Sequence, residues 1–377
     1  MLRMFAARVA TGRYGNSFEP EFPEGLRLKI KTRKTIRPDC WRVVDSTKLK
    51  LKNTSKFAMH ITRLGNQRFT SFLAASLLLP ALGSWAGDAK KTVVAEEGPP
   101  LPLHQIEGNG GILATLSAYL VNPPAEGEFL GLPALGFAYI ALGHGQDLQA
   151  LTVTESVTNR VELGYGYNNL NLGNLPLDVF QTTGGALNLQ ETSVSLHNFN
   201  ARIQLLKEGD FDKSWIPALT AGVHFKSNET YSDLNQQLAG TLKAIGVTDG
   251  QGVDFTLYAS KLFKGLPLPV LLEVGGRATE GVWNGLLGFT NDYSYLFEGN
   301  VVVFLTGKLA LAGEYKQQLT DYTAIPGLIG KANDWWTVDL AYIVNNHLTV
   351  AAGYGNFGTV LNNEANGVWG ITTKYEF

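Results

Sequence analysis

Apolar and polar residues alternate at every second position along much of the chain after residue 133. The C-terminal segment shows this most clearly, with one face made of Trp369, Ile371, Thr373, Tyr375 and Phe377. A period of two places successive side chains on opposite faces of a β-strand. No segment after residue 103 keeps a helical period for more than about ten residues. The pattern therefore predicts an all-β chain.

The alternation predicts twelve strands, at about 134–142, 148–156, 160–169, 193–205, 216–226, 253–263, 269–278, 293–305, 308–317, 335–344, 347–356 and 368–377. Their connections alternate in length, with short ones near 158–159, 207–214, 264–267, 306–307 and 345–346, and long ones near 171–192, 228–251, 280–292, 318–333 and 358–366. Short periplasmic turns, long extracellular loops and an even number of strands are typical of outer-membrane β-barrels.

Aromatic residues on the apolar face cluster beside the predicted long loops. They are Tyr165, Tyr167, Phe225, Tyr295, Phe297, Tyr315, Trp336, Tyr354 and Trp369. A soluble sandwich also alternates, but it does not predict such a belt at one membrane interface. Because only closure removes the unpaired edges of a sheet in lipid, we predict an antiparallel transmembrane β-barrel of about twelve strands in the bacterial outer membrane.

The sequence before the barrel divides by charge. Residues 1–58 hold 14 Lys and Arg against 5 Asp and Glu, whereas residues 87–377 carry a net charge of −13. Met59 begins a segment with two arginines, an apolar run at 69–82 and small residues near Ala86, which is the form of a secretory signal peptide over 59–86. A retained transmembrane anchor is the alternative.

Residues 1–58 precede this internal start and are interpreted as a non-native or disordered extension. An organellar presequence or a nucleic-acid-binding arm remains an alternative for them, and no nucleic-acid partner is predicted for the exported chain. Residues 87–133 are predicted to form a lead-in or plug, and residues 134–377 the barrel. The single cysteine, Cys40, precedes the predicted cleavage site, so no disulfide scaffold is expected.

Two resemblances support the barrel. The terminal run Lys374-Tyr375-Glu376-Phe377 resembles the assembly signal of bacterial outer-membrane barrels, which implies recognition by the barrel-assembly machinery through Trp369, Tyr375 and Phe377. Further runs are similar to an uncharacterised domain-of-unknown-function family of predicted outer-membrane proteins, and that likeness implies no activity. These runs are 107–111 (EGNGG), 160–165 (RVELGY), 297–300 (FEGN) and 333–336 (NDWW).

Candidate catalytic chemistry is weak. Ser195 and His197 share one predicted strand face and Asp254 lies on another strand, but a polar strand end explains them better than a hydrolase does. The G-x-G-x-x-G run at 353–358 is followed by no predicted helix, which argues against dinucleotide binding. The histidines after residue 87 form no metal-ligand spacing. We therefore predict no enzyme, no cofactor and no metal.

Charged residues of both signs fall on the predicted inward face and are candidates for lining a pore. They are Glu162, Arg202, Lys226, Asp254, Glu273, Arg277, Glu298, Lys308, Glu314, Lys316, Asp339 and Lys374. They can line a narrow aqueous channel, or they can pair across the lumen and close it. A change of phase within 193–205 also predicts a bulge near His197 and Asn198.

Residues 106–121 do not fit the barrel, because a thirteenth strand would break its even parity. They are expected to enter the lumen as a plug, which favours gated transport over free diffusion. The predicted function is a porin-like channel for passive or gated passage of small solutes of unknown identity. The alternatives are a plugged channel for hydrophobic compounds and a closed barrel that binds partners through its long loops.

Overall fold

The computed structural model describes residues 103–125 and 127–377. The predicted extension at 1–58, the predicted signal peptide at 59–86 and the first part of the predicted lead-in, 87–102, lie outside these residues. The described chain begins with two short strands, β1 (Leu103–Gln105) and β2 (Asn109–Gly111), which pair as an antiparallel hairpin.

Twelve antiparallel strands of the described chain then close into a barrel. They are β3 (Ala134–Gly143), β4 (Gln146–Val157), β5 (Val161–Asn171), β6 (Ser193–Leu206), β7 (Ala218–Asn228), β8 (Gln251–Phe263), β9 (Val270–Val282), β10 (Gly288–Phe304), β11 (Leu309–Lys316), β12 (Trp335–Ile343), β13 (Leu348–Asn356) and β16 (Val368–Glu376). The ring closes where the last strand pairs with β3, with Glu376 opposite Ala134. The predicted fold class and strand number are confirmed.

The outer surface of the barrel is apolar, as the alternation predicts. Along β12, Trp336, Val338, Leu340 and Tyr342 are exposed, whereas the residues between them are buried. The predicted aromatic residues also lie on the outward positions of their strands, and Tyr295 is 85% exposed. Since lipid tails leave backbone groups unpaired unless a sheet closes on itself, this surface suits a barrel in a bilayer.

Strand β6 keeps a single phase, so the predicted bulge near His197 and Asn198 is wrong. Its pairing with β5 runs without interruption from Ser193 to Ile203. Val194 and Leu196 point inward instead of toward lipid, because apolar residues of the long loops pack against them. The register shift of this strand lies beside Leu206, at its other end.

Short turns join the strands at one end of the barrel, which we call the short-turn end, and mostly long loops join them at the other, the long-loop end. One connection at the long-loop end is short, at residues 144–145, and β9 and β10 extend so far that only 283–287 separate them. The loops contain α1 (Leu175–Thr182), α2 (Tyr231–Gln237), α3 (Thr241–Ala244) and a small hairpin of β14 (Thr359–Val360) and β15 (Asn363–Glu364). No helix in the described residues is long and apolar enough to cross a membrane.

The loops at the long-loop end pack together over the lumen in one hydrophobic cluster. Hydrogen bonds also join loop segments within this cap: the Tyr322 hydroxyl donates to the Gly330 carbonyl and accepts from the Ala332 N–H, both at 2.7 Å. Burial raises the pKa of Tyr322 to about 12. The cap is therefore a packed structure and not a set of separate loops.

The apolar belt yields a prediction at Leu257, a lipid-facing residue in the middle of β8. Leu257→Arg should destabilise the barrel by about 2–4 kcal/mol, because a charge would face hydrocarbon at mid-depth. The matched change Leu266→Arg lies in an exposed turn and should cost less than about 1 kcal/mol. Urea unfolding in lipid vesicles measures both. Equal effects at the two positions would contradict the membrane placement of β8.

Candidate functional site

Residues 103–121 lie inside the barrel, and we call this segment the plug. Every one of them is buried except Tyr119, which is half-buried. The plug contains one charged residue, Glu107, in an otherwise uncharged run. Short strands β1 and β2 satisfy only a few of its backbone groups, so the rest need partners on the wall.

Inward side chains of the wall accept the backbone N–H groups of the plug. The Glu314 carboxylate receives the N–H groups of Leu113, Ala114 and Thr115 at 2.7–3.2 Å. Glu162 accepts from the Val121 N–H at 2.7 Å. A carboxylate that accepts several N–H bonds holds a turn in place, so Glu314 fixes the bend at 113–115.

The backbone carbonyls of the plug also have donors on the wall. Arg202 donates to the Ser117 carbonyl at 2.6 Å and to the Tyr119 carbonyl at 3.2 Å, and its guanidinium also pairs with Glu162. Asn200 donates to the Glu107 carbonyl at 2.8 Å. The polar face of the barrel is therefore complementary to an irregular backbone, which no apolar lumen could accommodate.

A network of charges surrounds Glu107 at mid-lumen. Its carboxylate lies 2.6 Å from Lys226 Nζ and 2.7 Å from Arg277 Nη2. Asp254 bridges the same two cations at 2.7 Å each, and Arg277 Nε also contacts Glu298 at 2.9 Å. Lys316 lies 3.4 Å from Glu298.

The signs of these charges explain the place of Glu107. The wall supplies three cations, Lys226, Arg277 and Lys316, against two carboxylates, and all five are buried. An unpaired buried charge is costly, and without Glu107 this part of the wall would hold one excess positive charge in a desolvated space. The carboxylate of Glu107 neutralises it.

The wall is also shaped to admit the turn of the plug. Gly164 and Gly166 face inward on β5, where a Cβ at the first would overlap the Gly108 carbonyl oxygen and a Cβ at the second would lie 2.7 Å from the Glu107 carbonyl carbon. Gly108 itself has a φ of +89°, a conformation that favours glycine. The two runs at 107–111 and 160–165 that the sequence singled out therefore contact each other.

Eleven of the twelve predicted pore-lining residues are buried on the inward face of the barrel. The exception is Lys308, which is exposed in the turn before β11 and lies outside the wall. Its predicted place is wrong because the strand begins one residue later. In the described structure nine of these eleven contact one another or the plug, whereas Lys374 pairs with Glu376 and Asp339 accepts from Thr337.

Sequence reasoning missed Glu107, which joins the predicted charges into one network, and Tyr258, whose hydroxyl donates to Glu298. A signal for Glu107 was present, since it is the one charge in the plug. Tyr119 was also missed; its hydroxyl donates to Glu208 in the turn between β6 and β7.

The candidate catalytic residues do not form a relay. Ser195 and His197 face outward, and Asp254 faces the lumen on another strand. The Ser195 hydroxyl lies 2.9 Å from that of Tyr167, and His197 Nδ1 lies 2.8 Å from the Tyr165 hydroxyl. No group of three or more metal-ligating side chains occurs in the described residues.

Two other sequence features have a structural place. The glycine run at 353–358 spans the end of β13 and leads into β14, and no helix follows it. Of the predicted assembly residues, Trp369 is exposed on the outer face, whereas Tyr375 and Phe377 lie at the short-turn end with ring centroids 5.0 Å apart.

Removing the charge of Glu107 should loosen the plug. Glu107→Gln keeps the shape but leaves the cations unbalanced, at a cost of about 3–5 kcal/mol. Amide hydrogen exchange over residues 103–121 should accelerate by at least about a hundredfold while the strands stay protected. The matched control is Glu128→Gln, in the exposed segment between the plug and β3. It should change neither the stability of plug docking nor the exchange rates of residues 103–121. Unaltered exchange in Glu107→Gln would show that the network does not hold the plug.

Steric fit gives a second, independent prediction. Gly164→Ala places a methyl group against the Gly108 carbonyl and should weaken plug docking by about 1–3 kcal/mol. Gly313→Ala on β11 is the control, because its Cβ has no neighbour nearer than 4.0 Å. The same exchange measurement separates the two variants, and identical protection in both would mean that β5 does not touch the plug.

Several solved structures of outer-membrane proteins are similar to this barrel. The barrel is similar to Acinetobacter baumannii Omp33, with a TM-score of 0.38, 9% identity and coverage of 65% of this chain and 98% of that one. It is also similar to the KdgM porin, with a TM-score of 0.39, 10% identity and coverage of 65% of this chain and 99% of that one. A third similar structure is a Salmonella typhi outer membrane phospholipase dimer with bound calcium. Its TM-score is 0.33 and its identity 11%, with coverage of 67% of this chain and 94% of that one. Identities and TM-scores this low carry no argument about fold or activity.

No curated protein matches the sequence significantly. The profile of one family, described as protein of unknown function DUF3034, matches residues 104–372. That range includes the plug and the barrel nearly to its last residues. The chain therefore belongs to the DUF3034 family, and it forms an outer-membrane β-barrel.

Proposed function

We propose that the protein is a gated outer-membrane channel for small polar solutes, held closed by the plug. The observation that carries this proposal is that a separate segment, and not the wall's own side chains, fills the lumen. Charges, hydrogen bonds and steric fit hold that segment. Such contacts can be exchanged for water, so the plug can leave while the barrel stays closed on itself.

The path of the chain permits withdrawal. Leu103 packs beside Leu271 and Ala310, which lie near the short-turn end. The linker after the plug leaves at the same end: Leu130 bridges to Val157, and the Phe377 N–H donates to the Pro133 carbonyl. Both ends of the plug are thus on one side, and it can move out as a loop without threading through the barrel.

The wall exposed by withdrawal would be polar. At the level of the plug it carries Arg202, Lys226 and Arg277 together with carboxylates such as Glu273 and Glu314. Opposed charges along a water-filled lumen suit hydrated solutes. A channel for hydrophobic compounds would need an apolar tunnel at this level, which argues against that alternative.

Planar-bilayer recordings test the proposal. The wild-type chain should be mostly silent, and the chain lacking residues 103–121 should conduct steadily, because the plug no longer occupies the lumen and the cap loses its contacts with Ile106 and Leu113. Gly164→Ala should open more often than wild type, whereas Gly313→Ala should not. A folded plug-deleted barrel that stays silent would overturn the proposal and favour a closed barrel with a structural or binding role.

Ion selectivity then reports the lining. In the plug-deleted background, Arg277→Gln should shift the reversal potential in a salt gradient toward cation preference, and Glu314→Gln should shift it toward anion preference. Conductance without either shift would indicate a leak around the barrel and not passage through it.

A further inference from the structure

A small apolar cavity lies in the cap at the long-loop end, and we call it the leucine pocket. Its volume is about 40 Å³, and its wall is made of twelve leucines, two valines, two isoleucines and Thr241. Helices α1 and α2 contribute Leu175 and Leu234, and the turn between β9 and β10 contributes Leu286 and Leu287. Elements distant in sequence thus converge on one apolar space.

The pocket has a mouth. Leu187, Ile325 and Leu328 line it and are only half-buried, unlike the residues deeper inside. A water needs two to four polar partners, which this lining does not offer, so an apolar guest is favoured over water. The space fits the end of a narrow chain, and a longer portion would leave through the mouth.

The backbone around the pocket is strained. Leu361 lines it with a φ of 58°, and Trp283 and Asn284, just before Leu286, have φ values of 50° and 62°. Bulky residues rarely adopt this left-handed conformation, and such positions cluster at ligand clamps and switch regions.

Apolar surface also continues outside the pocket. Helix α1 buries Leu175 and Val179 toward the cavity but exposes Leu177 and Phe180, at 55% and 47%. Two apolar faces on one short helix give a hydrophobic molecule a place to land next to the pocket.

We propose that the leucine pocket binds the end of an unbranched alkyl chain. The ligand class is an aliphatic hydrocarbon or the acyl tail of a lipid. This site goes beyond the proposed channel, because it lies in the cap and is separate from the polar wall that solutes would pass. The same hydrophobic cluster includes Ile106 and Leu113 of the plug, although neither of them lines the pocket.

Photolabelling tests the site. The full chain in lipid nanodiscs is irradiated with a twelve-carbon alkyl chain carrying a terminal diazirine, and adducts are mapped by mass spectrometry. Adducts are expected on α1 and on residues 325–329 in excess of those on lipid-facing β8. Leu234→Trp, which fills the pocket, should reduce them about tenfold, since displacing two methylenes from it is worth that factor. Leu257→Trp on the lipid face should leave them unchanged.

If Leu234→Trp does not fold, Leu328→Trp at the half-exposed mouth replaces it and should also reduce the adducts. Excess unlabelled dodecane and dodecanoate, added separately, distinguish a hydrocarbon from an acyl chain by which one displaces the probe. Labelling confined to lipid-facing strands, or labelling insensitive to both tryptophan variants, would overturn the proposal. Because labelling needs no movement of the plug, its failure is distinct from a failure of the channel proposal.

Discussion

The closed lumen depends on one buried contact, that of Glu107 with Lys226 and Arg277. Barrel closure satisfies every strand edge, but it leaves a polar interior whose charges need partners. Around Glu107 the wall supplies one cation more than it supplies carboxylates, and the plug supplies the missing carboxylate. Because a buried charge without a partner is far more costly than a buried pair is favourable, the two parts specify each other.

Around that contact the division of labour is simple. The exterior is apolar because lipid surrounds it, and the interior is polar because an irregular backbone fills it. Glu314 and Arg202 serve this backbone much as water would, with fixed donors and acceptors in place of mobile ones. At the long-loop end the interior turns apolar instead: along β4, Leu148 and Ala150 precede Thr152 and Thr154. Two chemically different compartments therefore share one lumen.

Much of the fold follows from sequence because a period of two is a local property. The residues of one strand, such as β16, are enough to predict which of its faces is apolar and which is polar. The lumen-facing charges were predictable for the same reason. The prediction for Lys308 was wrong because the exact end of a strand depends on turn geometry and not on alternation. The phase of β6 was predicted wrongly because Val194 and Leu196 are apolar residues that pack against loops distant in sequence, not against lipid. The partners of Glu107 join residues more than a hundred positions apart, and no alternation pattern encodes such pairs.

The plug has both its ends at the short-turn rim, and this has a consequence for how the protein is made. A segment that runs from one end of a barrel to the other has to be in place before the last strand pairs with the first, or its free end has to pass through the whole lumen afterwards. A segment that enters and leaves by the same opening carries no such order, so β16 can join β3 around an empty lumen and the plug can dock afterwards. Biogenesis then separates into closure, driven by backbone pairing, and filling, driven by charge.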